Sequence, residues 1–148
     1  MPVESPLQVA RVEENAYGKS LVASEDVNAG VAVARFEGPL VLWADVPEQE
    51  IRHVLLIDDE NWLIPHTDAR FVNHACEPNC TVDDELNIVT LQPVAKGQEF
   101  TICYNRARRS EFIANPQAFF WDPRWSFECK CGSPRCQGFI DGYWLVDD

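Results

Sequence analysis

Apolar positions along this chain fall in short runs separated by turn-forming residues. Leu7 to Val12, Ser20 to Ala23, Val31 to Phe36, His53 to Ile57, Leu86 to Gln92 and Glu99 to Ile102 follow this rhythm, which predicts a mostly β domain. Asn28 to Gly30 and Lys96-Gly97 lie between such runs, where glycine supplies the positive φ that a tight strand connection often needs. Helical pattern is confined to a turn or two after Pro47 and to a segment opening at Ser110. That serine is expected to cap Glu111-Phe-Ile-Ala before Pro116 stops the helix.

Residues 105 to 128 differ in character, with Arg106, Arg108 and Arg109 followed by Phe112, Phe119, Phe120, Trp121 and Trp125. Five aromatic side chains in a connector would form an exposed apolar patch unless they packed against something, so the segment reads as a linker that docks. Its rings serve either core packing or the wall of a substrate groove. The expected division is a main domain over 1–106 with its core at about 7–106, a connector over 107–128 and a tail over 129–148.

At 148 residues the chain has the size of one domain, able to bury roughly 70% of the surface its unfolded form exposes. A hydrophobic fraction of 46% without a stretch near the ~20 apolar residues needed to span a bilayer argues against membrane insertion. The opening MPVESPLQVARVEENAYGK lacks a basic start and an unbroken apolar run, so no secretory signal is expected. An intracellular protein is the expectation, cytoplasmic, or nuclear and chromatin-associated in a eukaryote. A net charge of −12 is the wrong sign for direct nucleic-acid binding and suits a basic protein partner, although acidity also serves solubility.

The six cysteines of a chain in a reducing compartment read as metal ligands or buried thiols rather than disulfides. Cys129, Cys131 and Cys136 follow a CxCx4C spacing around a Gly-Ser-Pro turn, which lets three thiolates converge. A structural zinc ion takes four such ligands, so a fourth must come from elsewhere, with Cys76, Cys80, Cys103 and the three histidines as candidates.

The run RFVNHACEPNC at residues 70–80, followed by GQEFTICYN at 97–105 and the cysteine tail, resembles the SET-domain family of protein lysine methyltransferases. The resemblance covers about residues 7–142, with YGKSLVASEDVNAG at 17–30 resembling the glycine-containing cofactor loop of that family. Two positions depart from it. Ser20 replaces a second glycine, and Phe36 stands where a tyrosine is usual.

The resemblance implies the SET fold, small curved β-sheets around a pseudoknot, with a short C-terminal zinc-binding post-SET segment. It implies S-adenosylmethionine and zinc as cofactors and a protein substrate that offers a lysine, a histone tail among the candidates. Tyr104 matches the catalytic tyrosine. Tyr17, Gly18, Lys19, Arg70, Phe71, Asn73, His74, Tyr104 and Phe139 match cofactor-binding positions, and Phe36, Ile102 and Phe139 match the substrate channel. Cys76 becomes the fourth zinc ligand beside Cys129, Cys131 and Cys136.

Methyl transfer to lysine requires a neutral amine, which a desolvated channel beside a sulfonium favours by lowering the amine pKa. Two other readings compete. One is an inactive SET-like module that keeps the zinc and cofactor fold and only docks a partner. The other is a thiol enzyme that pairs Cys76, Cys80 or Cys103 with His74, whose short sequence separation does not by itself bring nucleophile and base face to face.

Overall fold

In the computed structural model, which describes residues 8–15, 18–57, 60–129 and 131–147, short strands predominate and one α-helix occurs among the described residues. The N-terminal runs form a hairpin, β1 (Ala10–Asn15) pairing antiparallel with β2 (Gly18–Ala23). Gly18 enters β2 at φ 122°, a region that L side chains rarely adopt. Its partner turn residues, Tyr17 included, lie outside the described residues.

A second sheet has the order β3 (Ala32–Arg35), β9 (Asn87–Thr90), β8 (Cys80–Val82), all antiparallel. A third has the order β4 (Leu40–Leu42), β6 (Asn61–Leu63), β5 (Leu55–Leu56) and is built from the stretch between the third and fifth predicted strands, β5 falling within the fourth. Leu21, Ile88, Val94 and Phe100 are fully buried where the hairpin and the second sheet meet. Phe36 and Ile102 belong to the same core.

Two close approaches fix how these layers sit. Residues 37–39 run beside 64–66, with Ile64 N donating to the Pro39 carbonyl and His66 N to the Glu37 carbonyl. At Gly38 a β-carbon would lie 1.8 Å from the Ile64 carbonyl oxygen, so only glycine fits. The return strand is the second. β10 (Thr101–Ile102) lies parallel to β7 (Asn73–His74), while Glu99 bridges Val22 and Phe100 N bonds to the Leu21 carbonyl. Segment 99–102 is thereby bonded to β2 and to β7, two elements remote in sequence.

The connector docks, as its aromatic content predicts. Trp43 and Trp62 lie 4.9 Å apart between ring centroids, and Phe120 and Trp125 pack on both at 5.3–5.8 Å. Trp125 Nε1 donates to the Ile51 carbonyl at 2.7 Å and Arg52 Nε to the Arg124 carbonyl at 3.1 Å. The rings are in mutual contact, which is the packing reading of the aromatic run.

The helix α1 (Arg109–Ala114) begins one residue before Ser110, with Arg108 at the cap position and no side-chain cap bond. The expected serine cap is therefore not formed. Ser110 is inside the first turn because β11 (Arg106–Arg108) runs straight into the helix and pairs in parallel with β14 (Trp144–Val146). β12 (Phe127–Glu128) and β13 (Phe139–Ile140) close the cysteine segment as an antiparallel pair. Among the described residues no helix is long and apolar enough to cross a membrane.

Gly38→Ala is expected to destabilise the fold by at least about 2 kcal/mol, because backbone rather than a movable side chain blocks the added methyl. An unchanged urea midpoint would show that the two segments part without cost.

Candidate functional site

The site is assembled around β7. Residues Asp68–Phe71 form a 3-10 turn that delivers Val72, Asn73 and His74 against β10, and Ala75 N continues the pairing to the Ile102 carbonyl at 2.9 Å. Tyr104 lies just past β10 and is held at both ends by this loop. Its backbone N donates to His74 Nδ1 at 3.0 Å, and its hydroxyl donates to the Val72 carbonyl.

Burial, and then the Arg106 guanidinium, pull the His74 pKa down to about 4, so the imidazole is neutral at pH 7. Accepting at Nδ1 places the ring proton on Nε2, which points at Cys76 Sγ from 3.5 Å. For Tyr104, burial of the hydroxyl and the negative charge of Glu99 both push the phenol pKa up, so it keeps its proton. The residue is nonetheless 46% exposed, with its ring edge open to solvent and its hydroxyl end tucked against Val72. Phe127 packs on His74 and Tyr104 at 5.3 and 6.0 Å between centroids.

A polar cluster adjoins β7. Asn73 Nδ2 donates to the Lys19 carbonyl at 3.2 Å and to Glu99 Oε1 at 2.7 Å. Lys19 Nζ and the Arg70 guanidinium both lie over the Phe71 ring, at 5.0 and 5.7 Å from its centroid. Arg70 Nη2 pairs with Glu50 Oε2 at 3.0 Å, whereas its buried Nε has no protein partner. A buried guanidinium N–H without a protein partner is suited to an acceptor on a small-molecule cofactor.

The cysteines resolve the choice of fourth ligand. The sulfurs of Cys76, Cys129, Cys131 and Cys136 all lie within 4.8 Å of one another, with Cys76 and Cys129 at 3.7 Å. Tetrahedral zinc with Zn–S bonds of about 2.3 Å needs sulfurs about 3.8 Å apart, so the four residues fit that ion. Cys80 is instead buried in the main core, and the Cys103 thiol donates to Asn105 Oδ1 at 3.4 Å. Burial pushes the Cys129 thiol up. For Cys131 burial also opposes the charge, but hydrogen bonds bring its pKa down to about 7.

Of the residues expected at the site, Lys19, Arg70, Phe71, Asn73, His74, Tyr104 and the four cysteines are linked by contacts, and Gly18 precedes Lys19 in β2. Phe36 and Ile102 contribute from the core side, 4% and 8% exposed. Phe139 stands opposite Glu128 on the tail hairpin and is 57% exposed. Glu99, Asn105, Arg106, Phe127 and Gln137 escaped the sequence reading. The first three lie within or beside GQEFTICYN, which was the available signal. Phe127 and Gln137 carried none.

Comparison with known proteins agrees with this geometry. A family model for the SET domain matches residues 18–105. A protein of Aspergillus fumigatus named histone-lysine N-methyltransferase, H3 lysine-4 specific, is 30% identical over 157 residues, covering 93% of this chain and 12% of its own length. Trithorax of Drosophila melanogaster, named a histone-lysine N-methyltransferase, is 27% identical over 143 residues, or 84% of this chain and 4% of that protein. This chain thus spans only a small part of these relatives.

Among solved structures, KRYPTONITE, crystallised with mCHH DNA, an H3(1-15) peptide and SAH, superposes with a TM-score of 0.60 at 26% identity. The match covers 88% of this chain and 29% of that one. A family match over well more than half the residues, on a mostly β fold whose matched segment contains Asn73, His74 and Tyr104, settles the classification: the chain belongs to the SET-domain family.

Proposed function

We propose that this protein is an S-adenosylmethionine-dependent protein-lysine N-methyltransferase. The observation that carries the reading is the double anchoring of Tyr104, by Val72 through its hydroxyl and by His74 through its backbone, beside a four-cysteine cluster. The names of the curated relatives and the SAH and H3 peptide of the KRYPTONITE structure support the same chemistry.

When bound, S-adenosylmethionine supplies an electrophilic methyl group on a sulfonium. Gly18, Lys19, Arg70, Phe71, Asn73 and His74 would hold it, with the unpartnered Arg70 Nε and the Lys19 ammonium available to its carboxylate. By the family resemblance, Tyr17 and Phe139 would be further cofactor contacts. A lysine at pKa ~10.4 is ~3.4 units too basic at pH 7, a deficit of roughly 4.6 kcal/mol that desolvation and a nearby positive charge offset.

Because the Tyr104 hydroxyl spends its proton on the Val72 carbonyl, its oxygen lone pairs are free to accept from the amine and to steady the polarised methyl. Phe36, Ile102 and Phe139 line the lysine channel. The substrate is a basic protein segment, matched by the net charge of −12, and a histone tail places the enzyme at chromatin. Cys76, Cys129, Cys131 and Cys136 would hold zinc, which would keep the tail against the segment that carries Cys76.

Tyr104→Phe is expected to bind S-adenosylmethionine as wild type does by calorimetry while methyl-label transfer to histone H3 falls about 100-fold or more. Wild-type turnover by this variant would remove Tyr104 from the mechanism. A wild-type protein that transfers no label to histones or other basic proteins would favour a docking module instead. Stripping zinc with a chelator is expected to expose residues 129–147 to protease and to abolish transfer, since metal binding and folding of such a segment are one equilibrium. An aliphatic Ile102 has no hydroxyl with which to restrain the amine, so mass spectrometry should find di- or trimethyl product, reduced to monomethyl in Ile102→Tyr.

A further inference from the structure

Gln137 follows the last cluster cysteine, and its side chain is shared between two groups, Cys76 and Asn105. Its backbone N lies 3.3 Å from Cys76 Sγ and its Nε2 lies 3.4 Å from the same sulfur. Nε2 also donates to Asn105 Oδ1 at 3.3 Å, and Gln137 Oε1 accepts from Asn105 Nδ2 at 3.0 Å. The two amides therefore bond each other reciprocally, and the remaining amide hydrogen of Gln137 is directed at the sulfur.

Asn105 is 1% exposed and every position of its amide is used. Nδ2 gives its second hydrogen to the Gly142 carbonyl at 2.8 Å, Oδ1 takes the Cys103 thiol at 3.4 Å, and the Asn105 carbonyl accepts from Trp144 N at 2.8 Å. A fully satisfied buried amide network has one low-energy arrangement, so a shift at one end is passed to the other rather than absorbed. Asn105 is joined to Tyr104 by a single peptide bond.

We infer that Gln137 is a positioning residue that couples metal occupancy of the four-cysteine cluster to the placement of Tyr104, acting through Asn105. The inference rests on the reading of the cysteines as a zinc site and of Tyr104 as the methyl-transfer tyrosine. Hydrogen bonds to a metal-bound thiolate withdraw charge from sulfur and hold its direction, and loss of such an outer partner typically costs 10- to 100-fold in metal affinity or activity. Here the same amide that steadies Cys76 also sets the residue after the tyrosine.

The test uses the zinc-loaded protein with Gln137→Ala and the near-isosteric Gln137→Met, the second variant keeping the volume that tail packing requires. Transfer of zinc to a colorimetric chelator should be about 10-fold faster in both. In protein labelled with fluorotyrosine, the fluorine resonance of Tyr104, assigned with Tyr104→Phe, should move in both variants while zinc is still bound. Its direction should be that seen when wild type is stripped of zinc. Zinc release at the wild-type rate, or faster release with the Tyr104 resonance unmoved, would overturn the coupling. Neither readout requires turnover, so a wild type without methyl transfer defeats the functional reading and leaves this result standing or falling by itself.

Discussion

Cys76 is the point on which this structure turns. Its sulfur meets Cys129 from the tail at 3.7 Å, the neutral ring of His74 at 3.5 Å and two N–H groups of Gln137, while its carbonyl accepts from Arg106 at 3.1 Å. One residue thus receives contacts from the loop before it, the strand after Tyr104 and the tail. A fully buried sulfur with contacts from so many sides keeps its place only while those segments stay together. The requirement draws three remote segments to one place.

A second constraint works on the opposite flank and by a different force. The rings of Trp43, Trp62, Phe120 and Trp125 are joined by dispersion and burial, with Trp125 Nε1 and Arg52 adding directed bonds to the Ile51 and Arg124 carbonyls. The connector is therefore tied at residues 120–126 to the β4–β6 sheet and, through the cysteines, to β7. Between these two attachments α1 packs on β11 and β14, and Arg106 lies 5.0 Å from the Trp144 ring. Neither attachment alone orients the tail hairpin that brings Phe127 onto Tyr104.

The electrostatics of the site follow from that enclosure. His74 is neutral because it is buried next to a guanidinium, and its neutrality is what allows Nδ1 to accept from Tyr104 N. Tyr104 stays protonated because its hydroxyl is buried and Glu99 is near, and a protonated hydroxyl is what bonds Val72. Beside Phe71 the cations Lys19 and Arg70 are accompanied by carboxylates, Glu50 pairing with Arg70 and Glu99 bonding Asn73.

Much of this was legible in the residues themselves. The alternating runs foretold β2, β3, β9 and β10, because a strand that buries one or both faces must carry apolar residues at fixed intervals. The cysteine spacing foretold a convergence of thiols, and Asn73, His74 and Tyr104 stood out through ordered motifs. The strands β4, β6, β11 and β14 escaped, being three residues long each and held by pairing with remote partners rather than by their own pattern. Ser110 misled for a related reason, since the strand before it had already set the backbone from which the helix starts.

Which residues could do chemistry was therefore determined locally, by side-chain type and spacing. Which of them meet was decided only by the tertiary structure. Cys76 instead of Cys80 or Cys103 joins the tail, as the family resemblance implied but spacing alone did not, and Asn105 bonds Gln137 across 32 positions of sequence, because the return of β10 beside β7 and of β14 beside β11 places those backbones together. Pairings of that kind depend on where a remote chain segment lies, and the spacing of neighbouring residues carries no record of it.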